Sequence, residues 1–249
     1  MTFMGQITVR GLSVDLPALD ADTGLDAVSA LDGAAALISR FEFSGARVPA
    51  LELKDVTLVT GKIGKVRTGE TSMTGTQVRS VEFAGCELGS LRWTGGKISR
   101  TRFSDCQLVG ARFEDVTLDH VLFAGCKMDY AMLSRIRAAG PVMFTGCSLR
   151  EAEFADCHLA GSLLSRCDLT LASFGPGRYP GCDLRDNDLA TVSGVHYLKK
   201  VILDRAQLMQ LAEALAAQLS VTFGDSLEDS ASPAATSLLC CSLLYRAHT

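Results

Sequence analysis

Residues 81–133 read VEFAGCELGSLRWTGGKISRTRFSDCQLVGARFEDVTLDHVLFAGCKMDYAML, and a large apolar side chain returns in them at every fifth position. Phe83, Leu88, Trp93, Ile98, Phe103, Leu108, Phe113, Leu118, Phe123, Met128 and Leu133 mark the beat. Two residues before most of them stands a small or medium side chain: Cys86, Cys106, Ala111, Val116, Val121, Cys126, Ala131. The remaining positions are polar, charged or glycine. A period of five fits neither an α-helix at 3.6 nor a plain strand at 2, so each unit is a short extended piece, with inward residues two apart, followed by a corner.

Outward from this stretch the beat runs back to Phe43 through Val78, Met73, Thr68, Ile63, Leu58, Leu53 and Val48. After Arg137 to Pro141 it slips by one residue and resumes at Phe144, Leu149, Phe154, Leu159, Leu164, Leu169, Phe174, Tyr179, Leu184 and Leu189. Cysteines fall 20 residues apart at Cys86, Cys106 and Cys126, and again at Cys147 and Cys167 after the slip. Four units therefore close one coil, and coils stack at the inter-strand spacing of about 4.8 Å. The expectation is an all-β, four-sided solenoid over 36–203, with those five cysteines in one buried, reduced column. Stacked side chains pointing the same way lack the dihedral of a disulfide.

The units Cys182-Asp-Leu-Arg-Asp186, Asn187-Asp-Leu-Ala-Thr191, Ala111-Arg-Phe-Glu-Asp115 and Cys157-His-Leu-Ala-Gly161 resemble the pentapeptide-repeat family, whose pattern is roughly Ala-(Asp/Asn)-Leu-X-X. The resemblance implies a right-handed quadrilateral β-helix. It also implies a comparison with the quinolone- and albicidin-resistance members, which look like duplex DNA, engage DNA gyrase or topoisomerase IV, and dimerise through the C-terminal end.

Residues 1–35 are expected to form an irregular N-terminal cap. Ile7 and Val9, then Leu12 and Val14, repeat the inward pair at a spacing of five and would start an early coil, while Thr23 would cap a helix running to Leu31. At the other end Asp204 and Gln207 have the spacing of a capping box, and Leu208, Leu211, Ala212, Leu215 and Leu219 form a helical stripe. A helix over 205–219 and an extended Ser220 to Phe223 would cover the open coil, making 204–223 the C-terminal cap. Leu203, Leu208, Met209, Leu211, Leu215, Ala216, Leu219 and Phe223 are the expected homodimer surface. Residues 224–249, with Cys240 and Cys241, carry no repeat and are expected to be disordered.

The chain has 249 residues, 47% of them hydrophobic and 21% charged, with 24 basic against 28 acidic residues and a net charge of −4. That balance argues against direct nucleic-acid binding by bulk charge, and no apolar run is long enough to span a bilayer. A cytoplasmic protein without a membrane partner is expected. Four scattered histidines, no CxxC, no HExxH and no GxSxG leave catalytic, cofactor and metal sites without candidates. Charge is uneven, however: from Lys62 to Arg112 nine basic residues face four acidic ones, whereas Asp168, Asp183, Asp186 and Asp188 gather near the C-terminal end as a candidate acidic partner site. Leu122, Met143 and Leu163 take an outward position in three successive coils, an apolar strip that is either a contact site or the bed of a terminal segment. Two functions stay open: a non-enzymatic DNA mimic acting on gyrase, or a scaffold whose partner is unrelated to DNA.

Overall fold

The computed structural model describes residues 4–19, 24–31, 33–222 and 224. Its body is a β-solenoid of about seven turns. Each turn has four sides, defined by the inward residues Phe43, Val48, Leu53 and Leu58 in the first complete coil. Strands of successive coils pair in parallel with an offset of 20 residues, as in Lys97↔Thr117 and Phe103↔Phe123. An eleven-stranded sheet carries the fourth and first sides, and an eight-stranded sheet the second and third.

The beat of five becomes a corner because the residue two after most of the large inward side chains turns left-handed. Arg100, Asp105, Asp115 and His120 have φ of 47°, 52°, 55° and 55°. A non-glycine residue there costs about 1–2 kcal/mol. The ladder on either side offsets that cost. Inward columns stack at the coil spacing: the rings of Phe83, Phe103, Phe123 and Phe144 lie 4.5, 4.8 and 4.8 Å apart and nearly parallel. Trp93 sits on the third side with its indole fully buried and stacked toward Phe113.

The slip of one residue is absorbed at a single corner. Thr117–Ala124 pairs with Arg137–Ala138 before the corner and with Val142–Thr145 after it. Gly140 makes the tight passage, since a Cβ there would come within 2.3 Å of Asp119 Oδ1.

The N-terminal segment differs from the expected early coil. Met4–Val9 (β1) and Leu12–Pro17 (β2) form an antiparallel hairpin. The inward-pair spacing is genuine, but Arg10 and Gly11, both at positive φ, reverse the chain between the two pairs. A coil corner would have turned it only by one side. The hairpin lies on the outside of the first side, where Val14 and Leu16 pack on Leu122, Met143 and Leu163, with Ile7, Val9 and Leu12 around them. Of the two readings of the strip, the bed of a terminal segment is the one found, with Leu122, Met143 and Leu163 at 3%, 0% and 1% exposure. Burial of each such side chain is worth roughly 1.5–3 kcal/mol. The expected helix to Leu31 is absent: Asp26–Ala27 is a short strand in parallel with Phe41 and Glu42, so the chain joins the solenoid there. Its expected cap residue, Thr23, lies outside the described residues.

At the C-terminal end one helix, Gln207–Gln218 (α1), closes the last coil. The capping box forms by half: Gln207 Oε1 accepts from the Asp204 amide at 2.8 Å, while the residue before the helix, Ala206, offers no side-chain cap. Val221 and Thr222 form no strand, the Val221 amide instead donating back to Ala216 at 3.0 Å. Phe223 and the tail with Cys240 and Cys241 lie outside the described residues. No helix among the described residues is long and apolar enough to cross a membrane.

Candidate functional site

The orientation of α1 is opposite to the one its leucines imply. Gln207 and Ala214 are the buried helix residues, whereas Leu208, Leu215 and Leu219 are 58%, 42% and 67% exposed, and Met209 is 70% exposed. Ala212 is exposed as well, and Leu203, Leu211 and Ala216 are half-buried. The cause is the solenoid edge beneath. A last coil has no following coil to take its backbone hydrogen bonds, and apolar side chains cannot supply them. Gln207 Nε2 donates to the carbonyls of Leu184 and Asn187, both at 2.9 Å. Gln210 Oε1 accepts from the Leu189 amide at 3.1 Å, and Gln218 Nε2 donates to the Val192 carbonyl at 3.2 Å. Three glutamines close the edge, which leaves the leucine stripe facing outward. Sequence reading ranked the leucines above the glutamines; the signal available was the shared face of Gln207, Gln210 and Gln218.

The four aspartates do not converge. Asp183 lies on the first side, in register with Leu163, and Asp186 on the corner after it, whereas Asp168 lies on the second side in register with Ser148. Asp188 occupies the equivalent second-side position in the next coil. Asp183 points outward from the first side but is only 7% exposed, held on both flanks. Arg185 Nε donates to it at 3.0 Å, and Arg10, from the turn of the hairpin, reaches it at 3.3 Å and also engages Asp186. Burial by itself would raise the Asp183 carboxyl, but Arg185 through side chain and amide, and Arg10, hold it below the usual carboxylate range. Asp168 is also lowered, by the hydroxyl and amide of Thr170, with Arg150 3.9 Å away. Asp188 accepts from the Ala190 amide at 3.0 Å. Arg10 and Arg185, unremarked in the sequence, thus neutralise the first-side half of the cluster.

The seven cysteines of the repeat are buried and free. Cys86, Cys106, Cys126, Cys147 and Cys167 each donate to a carbonyl of the preceding coil, at 3.2 to 3.5 Å. Asn187 ends the column: its Oδ1 accepts from the Cys167 amide at 2.8 Å, and its Nδ2 donates to Leu164 and Leu184. Cys157 points inward while His158 is exposed, as alternation requires. Among the described residues no group of three His, Cys, Asp or Glu side chains could hold a metal ion. A small open cavity of about 160 Å³ lies beside the hairpin turn, between Arg10, Leu12, Gly161 and Asp183. Pockets for small molecules span about 300–1,000 Å³.

Residues 96–174 match the pentapeptide repeat region family. No curated protein matches the chain. Among solved structures, the full-length plasmid-mediated fluoroquinolone resistance protein QnrB1 is similar at 17% identity, covering 72% of this chain and 98% of that one, with a TM-score of 0.42. A trypsin-treated QnrB1 variant gives 16% identity over 75% of this chain and 98% of that one, again at 0.42. HetL, a pentapeptide repeat protein involved in heterocyst differentiation regulation from the cyanobacterium Nostoc, gives 15% identity over 67% and 86%, at 0.23. The five-residue beat, the parallel four-sided coil and the matched segment agree that residues 96–174 form a pentapeptide repeat region, and the same coil continues to either side of it.

Proposed function

We propose that this chain is a non-enzymatic interaction protein, a two-fold homodimer joined through α1 that presents its solenoid sides to a macromolecular partner. The observation that carries this reading is the outward stripe Leu208, Ala212, Leu215 and Leu219, with Met209 beside it, on a helix whose inner face is already satisfied by glutamines. A self-complementary apolar patch at one end of an elongated body suits an isologous two-fold contact. A cytoplasmic setting accords with seven reduced cysteines. Sedimentation velocity on the full chain is expected to give a dimer mass, and Leu208→Glu with Leu215→Glu a monomer of unchanged secondary structure. A concentration-independent monomer for the parent chain refutes the dimer.

Gyrase or topoisomerase IV is the partner that the family resemblance puts first for testing. A DNA mimic asks for a continuous acidic stripe, and Arg10 and Arg185 interrupt one at Asp183 and Asp186. Asp168 and Asp188 remain for it. The charge distribution therefore supports the partner-binding scaffold better than the mimic. Inhibition of gyrase supercoiling that weakens with salt and is lost in Asp168→Asn with Asp188→Asn would favour mimicry; no effect at a large molar excess favours the scaffold.

A further inference from the structure

The net charge of −4 conceals a strongly polarised distribution among the four sides. The fourth side, whose inward residues include Val78, Ile98, Leu118 and Leu159, has one outward column fixed by strand register. Gln77 pairs with Lys97, Lys97 with Thr117, Thr117 with Arg137, Arg137 with His158 and His158 with Arg178. Six consecutive coils thus each present a side chain able to donate a hydrogen bond, and none presents a carboxylate. Arg79 lies two positions beyond Gln77 and Arg100 three beyond Lys97, and Lys199 and Lys200 follow in the next coil, where the Lys200 carbonyl receives the Gly181 amide. The one carboxylate on this side is Asp119, which Lys97 already engages at 2.8 Å. At the corner leading into the side, Asp115 is bound by Arg135 at 2.8 Å, and Asp156 forms the acidic edge of the patch. Among the described residues Arg79, Arg100, Arg137 and Arg178 make no ion pair, and Arg79, Arg137, His158 and Arg178 are exposed.

The first side mixes opposite charges in its own outward column, Glu42, Lys62, Glu82 and Arg102, paired in register. The second side carries Arg67 against Glu87, and the third carries Arg135 against Glu114 and Asp115. The fourth side has one such pair, Lys97 with Asp119, and leaves Arg79, Arg100 and Arg178 without one among the described residues, while Arg137 also acts on Asp115 at the corner. Within a screening length of about 8 Å a partner feels this side rather than the whole molecule.

We propose that the fourth side is a docking surface for the phosphate backbone of a nucleic-acid duplex, read without regard to sequence. Three features select this occupant over an acidic protein or an anionic membrane. The column is straight and rigid, and five coil steps of about 4.8 Å make it about 24 Å long, some two-thirds of a duplex turn of about 34 Å. Its charged members are mostly arginine, whose planar fork matches phosphate oxygens, and the intervening Gln77 and Thr117 are groups that also contact backbones. The side exposes no Phe, Tyr or Trp on which unpaired bases could stack or which could enter a membrane interface. The expectation of no direct nucleic-acid binding followed from total charge, which the register of the coils does not distribute evenly.

The test is fluorescence anisotropy of a labelled 20-base-pair DNA duplex against the full chain, from 50 to 200 mM salt. The expected result is saturable binding that weakens steeply with salt. Arg137→Glu with Arg178→Glu should cut affinity more than tenfold at 50 mM salt and lower the slope of log K against log salt by about 2. Arg47→Glu with Arg67→Glu changes net charge equally on the second side and should leave binding within twofold. Arg137→Gln with Arg178→Gln gives a milder form should the first variant lose its circular dichroism. The proposal is overturned by no binding at 50 mM salt, by equal loss in the second-side variant, or by preference for polyglutamate or phosphatidylserine vesicles over the duplex. The dimer mass is read separately, so failure of this proposal leaves the homodimer standing. Supercoiling inhibition that disappears in Arg137→Glu with Arg178→Glu would identify DNA capture rather than gyrase binding.

Discussion

At the scale of single residues, the cysteine column shows why thiols suit the inward slot of this coil. The slot takes a small side chain, and a thiol both fills it and spends its weak donor on a carbonyl 23 or 24 residues back. Burial pushes the Cys157 and Cys182 thiols up to about 12. Cys126 is pushed up by its neighbours Cys106 and Cys147 and by burial. Peptide mapping after iodoacetamide at pH 8 is expected to find Cys126, Cys157 and Cys182 unmodified in the native protein and all modified in denaturant. Rapid native alkylation of these three would contradict their placement. Among the described residues three buried polar atoms, Trp93 Nε1, Arg102 Nε and Ser162 Oγ, have no hydrogen-bond partner, so the tiling is not free of cost.

At the scale of elements, the hairpin is a clasp with an apolar middle and polar ends. Val14 and Leu16 supply the middle, the Arg10 pair with Asp183 one end, and the Asp15 amide, 2.9 Å from His120 Nδ1, the other. Because the Asp183 carboxyl is held below its unfolded value, its contribution to docking is complete above about pH 4. It is lost as pH falls through the lowered folded value. Limited proteolysis in β1 and β2 is therefore expected to accelerate progressively as pH falls below about 4 in the parent chain, and to be faster already at neutral pH in Arg10→Ala; unchanged cleavage in that variant would remove the latch from the account. The body of the coil was legible because a five-residue beat has one structural solution. The ends were legible in part: the C-terminal helix lies within the expected 205–219, whereas its outward face and the course of the N-terminal segment were not, each for its own physical reason. Ile7, Val9, Leu12 and Val14 have the spacing of a coil and of a hairpin alike, and Arg10-Gly11 decides between them through backbone conformation. The leucines of α1 obey helical spacing, but spacing cannot say which face meets an edge that needs hydrogen bonds. For the aspartates, proximity in sequence put Asp168 and Asp183 on different sides, and Arg10 arrives from 173 residues away.

At the scale of the whole molecule, nearly every contact of a solenoid joins one coil to the next, so stability approaches a sum over neighbours. The hairpin departs from this rule by tying three consecutive first-side strands, through Leu122, Met143 and Leu163, to one rigid element. Met143→Asp should release that tie. Urea unfolding followed by Trp93 fluorescence and by circular dichroism is then expected to separate into two midpoints, whereas the parent chain gives coincident ones; coincidence in the variant would mean that coil stacking alone sets cooperativity. The same tie orders events on the ribosome. Synthesis runs at about 5–20 residues per second. β1 and β2 emerge before the coils they lie on, and the aspartate that receives Arg10 is made 173 residues later. For roughly 10–30 s at that rate, every nascent chain carries Ile7, Val9, Leu12, Val14 and Leu16 without the bed they are shaped for. Each newborn molecule thus has an interval in which this hairpin is its stickiest part, and ribosome-associated chaperones or a neighbouring nascent chain on the same polysome compete for it before its own later coils are made.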